Sequence, residues 1–391
     1  MAGIQYISQR AFFAMSTKPR IAIIGDFPIG LINEQYKDIK SANAKWMHTF
    51  FQSLQDVEQF EFHWIMLDKA YKTRNYFQYQ GHHFYVLPGA RLTIGLYTAY
   101  LYDRIQIWKC LKSIKPNLVH SWGTERSFGL AAKDFSGKKL LSAQGILTAY
   151  KQRGPISAFE RKQSLYEKGT FRAMNMVTAE SPWALERIKE IAPNVNSRLW
   201  EYAADASFLS EERKLTKSPS CLLAGSRAPI KNVDLAIQAF SSSSLQHVTL
   251  YVAGQDKPAD KKYPDNIIFL GYLTREKIKE YLGKVWALVH PSLADSCPNI
   301  VKEARIIGVP AIVTRDCGAK QYVEHLKSGC VVEPNNLEQF IQAVQVVTSN
   351  EETSLQMGSY GVDFCRKALS VDTMRTTILD IYNYILKESQ K

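Results

Sequence analysis

Two acids, Asp295 and Glu303, stand eight positions apart on either side of Ser296, Cys297, Pro298 and Asn299, within the run HPSLADSCPNIVKEA that spans His290 to Ala304. Carboxylates accept hydrogen bonds, which suits the paired hydroxyls of a sugar. Ile300, Val301, Ala304 and Ile307 fall on one face of a helix that Pro298 opens and that Gly308 and Pro310 close. The backbone of Ser296, Cys297, Pro298 and Asn299 would then offer free amide donors at the positive end of that helix, a place for a phosphate. Asp295 is expected in the loop after a strand over Val285–His290, and Glu303 inside the helix, more than a turn from its start. Taken singly, Asp295 reads first as a helix cap and Glu303 as an exposed helix residue; the blocks around them reverse that reading. His290 reads as a packing residue at the strand end. Cys297 sits where a helix terminus favours a thiolate, but no second cysteine is near enough in sequence to resolve a redox step.

A second stretch, LLAGSRAPIKNVDLAIQAF, reads as a strand, a Gly-Ser turn, two cations and a helix whose apolar face is Val233, Ala236, Ile237 and Phe240. Arg227 and Lys231 in one strand-to-helix loop suit a diphosphate. A departing diphosphate gains charge, so fixed cations favour the transition state over the ground state. Hydroxyls at both ends and phosphates in the middle describe a nucleotide sugar.

These loops need strands to present them. Short apolar runs ending at Gly, Ser or His alternate with helix-period segments, the pattern of parallel sheets with helical crossovers. The first set starts at Arg20, Phe62, His82, Asn117, Lys139 and Asn175, and the second at Cys221, Val248, Asn266, Val285, Pro310 and Gly329. A polar, lysine-bearing stretch over Asp205–Ser220 separates them. The chain is therefore expected to be α/β, with two Rossmann-like doubly wound domains facing a cleft: an N-terminal domain over 1–205 and a C-terminal, nucleotide-binding domain over 206–370. In such sheets ligands lie beyond the carboxyl ends of the strands, where the loops above fall.

Composition agrees and excludes some classes. A length of 391 residues is too great for one ordinary core, and a net charge of +12 favours anionic partners: nucleotides, nucleic acid or an acidic membrane. No reading helix or RNA-binding motif supports nucleic acid. The six cysteines include no CxxC pair and no zinc-type Cys/His spacing, as expected of free thiols in a cytoplasmic protein. No apolar run is long enough to span a membrane, and residues 1–19 read as a leader before the first strand rather than a signal peptide. Leu96, Tyr100, Ile107 and Leu111 lie in a basic, amphipathic stretch that is either a core helix or a membrane-surface helix, with the core the first expectation. From Tyr150 to Arg172, the cations Lys151, Arg153, Arg161, Lys162, Lys168 and Arg172 outnumber Glu160 and Glu167. That stretch reads as a solvated basic face or a contact for an anionic lipid surface.

Together these blocks resemble the retaining glycosyltransferases of family 4, the glycosyl transferases group 1, which have the GT-B fold. Asp295 and Glu303 stand where the family has Glu, seven residues, Glu, followed by ARIIGVPAIVT. HPS, AGSRAPIKNVDLAIQAF, NIIFLGYLTREKIKEYLGKVWALVHPS and CGAKQYVEHLKSGCVVEP occur in the family's order. The resemblance implies a hexosyltransferase using a nucleotide-sugar donor such as a UDP- or GDP-sugar, with retention, no cofactor and no metal in the site. Carried over, Glu303 would hold the ribose hydroxyls and Asp295 the donor sugar. Arg227, Lys231 and the amides from Ser296 to Asn299 would hold the diphosphate, Gly30 would approach it from the other domain, and Gly271, Tyr272 and Leu273 would meet the base. His120, Glu125 and Gln144 are the candidates on the acceptor side, and the last helix, over 371–391, would return to the first domain. A glycan or lipid-linked acceptor, cell-surface polysaccharide or glycolipid synthesis, and attachment at the inner membrane face follow by the same resemblance. Asp295 replaces the commoner Glu, and Gln144 stands where many members have His. These departures keep open a non-catalytic nucleotide-sugar binder, and the shared architecture a GT-B epimerase.

Overall fold

The computed structural model describes residues 18–36 and 44–388, so nearly all of the expected leader lies outside it. The first sheet is built from β1 (Arg20–Ile24), β2 (Glu61–Asp68), β3 (Asn75–Tyr79), β4 (His82–Pro88), β5 (Leu118–Trp122), β6 (Lys138–Ser142), β7 (Met176–Ala179) and β8 (Ser197–Leu199). The second is built from β9 (Ser220–Ala224), β10 (Thr249–Ala253), β11 (Ile267–Gly271), β12 (Ala287–His290), β13 (Ala311–Thr314) and β14 (Gly329–Val332). All neighbours run parallel except β3, which is antiparallel to β4. Every apolar run named above became a strand. The two unexpected strands, β3 and β8, are the outer strands of the first sheet. Each is short, with much of its surface left to solvent, so neither carries the apolar run that marks a strand buried on both faces.

Alternation along the inner strands feeds two cores per sheet. Ile21 and Ile23 face one side of β1, with Phe50 and Trp200, while Ala22 and Ile24 face the other, with Ile107 and Phe171. In the second sheet Leu222 and Leu288 pack toward Val301 and Ala304, and Cys221 and Val289 toward Ala236 and Phe240.

Strand order fixes where a ligand can sit. In the second sheet β9 lies between β10 and β12, so the crossovers leave it in opposite directions and the loops after β9 and β12 part to form a crevice. The loop after β9 carries Arg227 and Lys231, and the loop after β12 carries Asp295. The first sheet has the same arrangement at β1, between β2 and β5.

The last helix, Val371–Lys387, crosses to the first sheet. Met374, Ile378, Ile381 and Ile385 repeat at helical spacing and are buried in the same core as Ile21 and Phe50. Trp200 Nε1 donates to the Met374 carbonyl at 2.9 Å, and the Tyr382 hydroxyl lies 2.7 Å from His120 Nδ1. The amphipathic stretch before β5 forms two helices, Leu92–Tyr97 and Leu101–Ile114. Leu96, Tyr100, Ile107 and Leu111 are buried as expected of a core face, yet Ile94, Tyr97, Leu101 and Trp108 stand exposed. Among the described residues no helix is long and apolar enough to cross a membrane.

Ile381→Ala should lower stability by about 2–5 kcal/mol, the range for deleting a buried aliphatic side chain. Asp380→Ala, on the exposed side of the same helix, should leave it unchanged, as urea unfolding of the two variants will show.

Candidate functional site

Asp295 is buried, and its charge is held by residues from two other segments. Lys231 Nζ, at the end of the short 3-10 turn Pro229–Lys231, donates to Asp295 Oδ2 at 2.5 Å. His290 Nε2, from the end of β12, lies 2.9 Å from the same oxygen and 2.9 Å from Ser292 Oγ. Burial alone would raise the Asp295 pKa, but Lys231 and His290 outweigh it and hold the carboxyl well below the usual range. Burial likewise works against the Lys231 ammonium, and Asp295 overcomes it, raising the Lys231 pKa. His290 therefore contacts the site and does more than pack at the strand end.

Glu303 lies in the helix Asn299–Ile307, with its side chain 6% exposed. Burial raises its pKa, and Arg275 offsets this in part by donating from Nη2 to Oε1 at 2.7 Å. Arg275 also bonds Asp205 Oδ2 and lies over the Phe208 ring. Each carboxylate thus has a cation of its own. Lys231 and Arg275 are remote in sequence and are delivered by the crossovers.

Arg227 stays exposed at the same edge, donating to Gln255 Oε1 at 2.8 Å and the Asp256 carbonyl at 3.2 Å, with no carboxylate among the described residues paired to it. The expected phosphate loop needs two corrections. Pro298 has no amide hydrogen, and it is the N-cap residue rather than part of the first turn. The Ser296 amide is engaged by the Tyr150 hydroxyl at 2.9 Å, and the Ser296 carbonyl accepts from Ser181 Oγ at 2.6 Å. That leaves the Cys297 amide and the start of the helix at Asn299, which no side chain caps, as its donor end. Gly308 closes the helix at φ 92°, in the left-handed region that favours glycine. Cys297 is packed in the core, and burial pushes its thiol well above the usual range, so no thiolate forms there.

The same loop is the junction between domains. Besides Tyr150 and Ser181, Lys302 reaches Glu180 Oε2 at 2.6 Å, and Arg153 meets Asp316 at 3.0 Å. Gly318 approaches so closely that a Cβ there would fall 1.6 Å from the Ser296 carbonyl oxygen. Lys302 and Arg275 lie inside blocks quoted above but were not expected to act at this site, and neither was Tyr150. For Lys302 the available signal was its place beside Glu303, and for Arg275 its place soon after the carboxyl end of β11.

On the first domain, a cavity of 290 Å³ is lined by Asp26, Trp46, Trp122, Glu125, Arg126 and Gln144. The indole nitrogens of Trp46 and Trp122 and Arg126 Nε are buried without a hydrogen-bond partner among the described residues. Burial pushes the Glu125 carboxyl up to about 7 although it accepts a short hydrogen bond from the Gly145 amide. Gln144 donates to the Tyr202 hydroxyl at 3.0 Å. His120 does not join them: it is fully buried, with its ring nitrogens 2.7 Å from Tyr382 Oη and 2.7 Å from Ser142 Oγ, and burial lowers its pKa to about 3. Its role is to fasten the returning helix. Gly30 lies in the 3-10 turn Ile29–Leu31 after β1. Gly271 ends β11 at φ 66° with its carbonyl taken by the Gly254 amide, beside the largely exposed Tyr272 and the partly buried Leu273.

Two facing doubly wound domains closed by a returning helix define the GT-B architecture. Residues 207–363 match the family of glycosyl transferases group 1, confirming over that span the resemblance drawn from the motifs. The chain is 32% identical over 135 residues to the lipopolysaccharide glucosyltransferase WaaG of Escherichia coli K12. That match covers 32% of this chain and 36% of the relative's length. The sucrose-phosphate synthase of Thermosynechococcus elongatus superposes with a TM-score of 0.78 at 13% identity, over 95% of this chain and all of that one. HepE of Anabaena, in complex with UDP-glucose, gives a TM-score of 0.66 at 12% identity, over 94% of this chain and all of that one. At these identities the structures speak for the fold.

Arg275→Gln should strand Glu303 as a buried charge, so this variant should melt lower than the double variant that also carries Glu303→Gln. Because the Glu303 pKa is raised, the deficit should be largest where the carboxyl is ionised and shrink as the pH falls through that pKa. Thermal melts across pH will check both.

Proposed function

We propose that the chain is a glycosyltransferase, moving a hexose from a UDP- or GDP-sugar to a glycan or lipid-linked acceptor with retention of anomeric configuration. The observation that carries this reading is the buried group Asp295, Lys231 and His290 at the switch point of the second sheet, beside an uncapped helix start and the exposed Arg227. The group 1 family match and the UDP-glucose bound by HepE support a nucleotide-sugar donor.

In this reading Lys231 and Arg227 receive the diphosphate, which supplies the counter-charge that Arg227 lacks. Fixed cations serve where a divalent ion would otherwise be needed. Glu303 exchanges its bond to Arg275 for the ribose hydroxyls, and Asp295 faces the donor sugar. The base meets the backbone at Tyr272 and Leu273. The acceptor enters the cavity of the first domain, where indole and guanidinium donors await hydroxyl or carboxylate oxygens. As the acceptor oxygen bonds to the anomeric carbon, the bond from that carbon to the diphosphate oxygen breaks. Glu125, with a pKa near neutrality, or the departing phosphate takes the acceptor proton. Tyr150 joins the two halves, with its hydroxyl on Ser296 and its ring beside Gly145.

The acceptor side also presents a surface. Lys162 lies 3.4 Å from the centroid of the exposed Tyr97 ring, and Lys112 lies 3.8 Å from that of Trp108. The basic segment and the apolar helices therefore share one face. Glu167, counted above against the basic excess, turns inward to accept from the Leu147 and Thr148 amides, whereas Arg153 is spent on Asp316. Exposed Leu, Ile, Tyr and Trp beside Lys suit an anionic membrane face, where a lipid-linked acceptor resides and a GT-B glycosyltransferase of cell-surface polysaccharide or glycolipid would work.

With UDP-glucose or GDP-mannose and a lipid or glycan acceptor panel, Asp295→Asn should lower turnover while leaving nucleoside diphosphate affinity nearly unchanged. NMR of the product should show the donor's anomeric configuration, and EDTA should not slow transfer. Inverted product would refute retention, and tight donor binding with neither transfer nor hydrolysis would make the chain a binder. Vesicle sedimentation should show binding to anionic but not neutral lipid at low salt, with Lys162→Gln costing about 1 kcal/mol and Trp108→Ala weakening it further. Equal partition on the two lipids would refute the membrane face.

A further inference from the structure

Far from the cleft, at the amino-terminal ends of β2 and β4, Glu61, His63 and His83 converge. Strand alternation puts Glu61 and His63 on one face of β2, and the parallel register sets His63 beside His83. The two imidazoles stack with centroids 4.5 Å apart and 14° between their planes. Nε2 of His63 lies 2.8 Å and Nε2 of His83 lies 3.8 Å from Glu61 Oε1. One ligand atom from each of the three residues lies within 4.8 Å of the other two.

We propose that Glu61, His63 and His83 form a zinc site, with both Nε2 atoms and one carboxylate oxygen as ligands and water in the fourth position. Two imidazoles and a carboxylate are a ligand set that suits Zn²⁺. Zinc bonds of about 2.0–2.1 Å in a tetrahedral shell put ligand atoms roughly 3.3 Å apart, between the two separations from Glu61 seen here. The outer partners fit as well: His63 Nδ1 lies 3.2 Å from the Tyr85 hydroxyl, and His83 Nδ1 lies 2.8 Å from the Tyr76 hydroxyl. A metal-bound imidazole donates its other N–H to such an oxygen. A neutral imidazole keeps a lone pair on one ring nitrogen for a metal. On binding, each ring proton moves from Nε2 to Nδ1, and the Gln78 amide, 3.2 Å from His83 Nδ1, turns its oxygen toward that proton. No proton leaves the rings.

Arg20 opposes the ion. Its Nε lies 3.4 Å from Glu61 Oε1, and its Nη1 is anchored on the Ile114 carbonyl at 2.9 Å. The guanidinium therefore stays beside the ion and weakens its binding. Zinc here would staple β2 to β4 and stabilise the first domain without entering the reaction.

The test uses the tag-free full chain, stripped with EDTA and dialysed. Calorimetric titration with zinc chloride should give one zinc per chain and a higher melting temperature, and cobalt(II) should give the visible bands of a tetrahedral site. Glu61→Gln and His83→Gln should abolish both while preserving nucleoside diphosphate binding as the sign of an intact fold. Tyr76→Phe should weaken zinc binding about tenfold, and Arg20→Gln should strengthen it. No stoichiometric zinc binding by the wild type, or binding unchanged in both ligand variants, would overturn the site.

Discussion

Asp295 stays ionised in a buried loop because Lys231 reaches it from another strand's loop, and the rest of the second domain depends on that pair. Removing Lys231 would leave the buried Asp295 carboxylate with only His290 to offset it, a cost that commonly exceeds what the pair contributes when intact. The pair therefore fixes the loop after β9 against the loop after β12, at the one place where strand order opens the sheet. In the proposed reading, a diphosphate arriving there meets an ammonium that is already positioned and already charged. Little reorganisation remains for the moment when the leaving group develops its charge.

The helix Asn299–Ile307 extends the same economy to the whole molecule. Glu303 meets the linker and the second sheet through Arg275 and Asp205, while Lys302, its neighbour in the chain, crosses to Glu180 of the first domain. Just before that helix, Ser296 is held from the first domain by Tyr150 and Ser181. One turn of helix and its leading loop thus join the domains and, in the proposed reading, also form the donor site. A ligand that displaces Tyr150 from the Ser296 amide, or Arg275 from Glu303, would change how the domains are tied. Cleft occupancy and domain posture are then coupled through contacts that exist before any ligand binds.

Much of this was legible in the sequence where one segment decides its own structure. The buried strands announced themselves as apolar runs, the end of the helix at Gly308 as a residue free to take positive φ, and the carboxylates by their spacing around a helix start. Features set between segments were hidden. Arg275 lies 28 positions before Glu303, and nothing local marks it as that residue's partner. His120 looked like a cleft residue because it precedes the loop after β5, but its side chain points into the core that the returning helix completes. Glu61, His63 and His83 were invisible as a cluster because a sheet register brings them together, whereas zinc spacings legible in sequence come from single turns and loops. The exposed face of Leu92–Ile114 was half read: periodicity found the buried stripe, and the second apolar stripe emerged only once the first had been covered.

Whether those ion pairs are the place where a nucleotide is received is tested most directly by a crystal structure of the chain with UDP or GDP. The diphosphate should lie on Lys231, Arg227 and the amides that start the helix at Asn299, with the ribose hydroxyls on Glu303 and Arg275 released from it. A nucleotide bound elsewhere, or one in this cleft with Glu303 still on Arg275 and the ribose untouched, would contradict that placement.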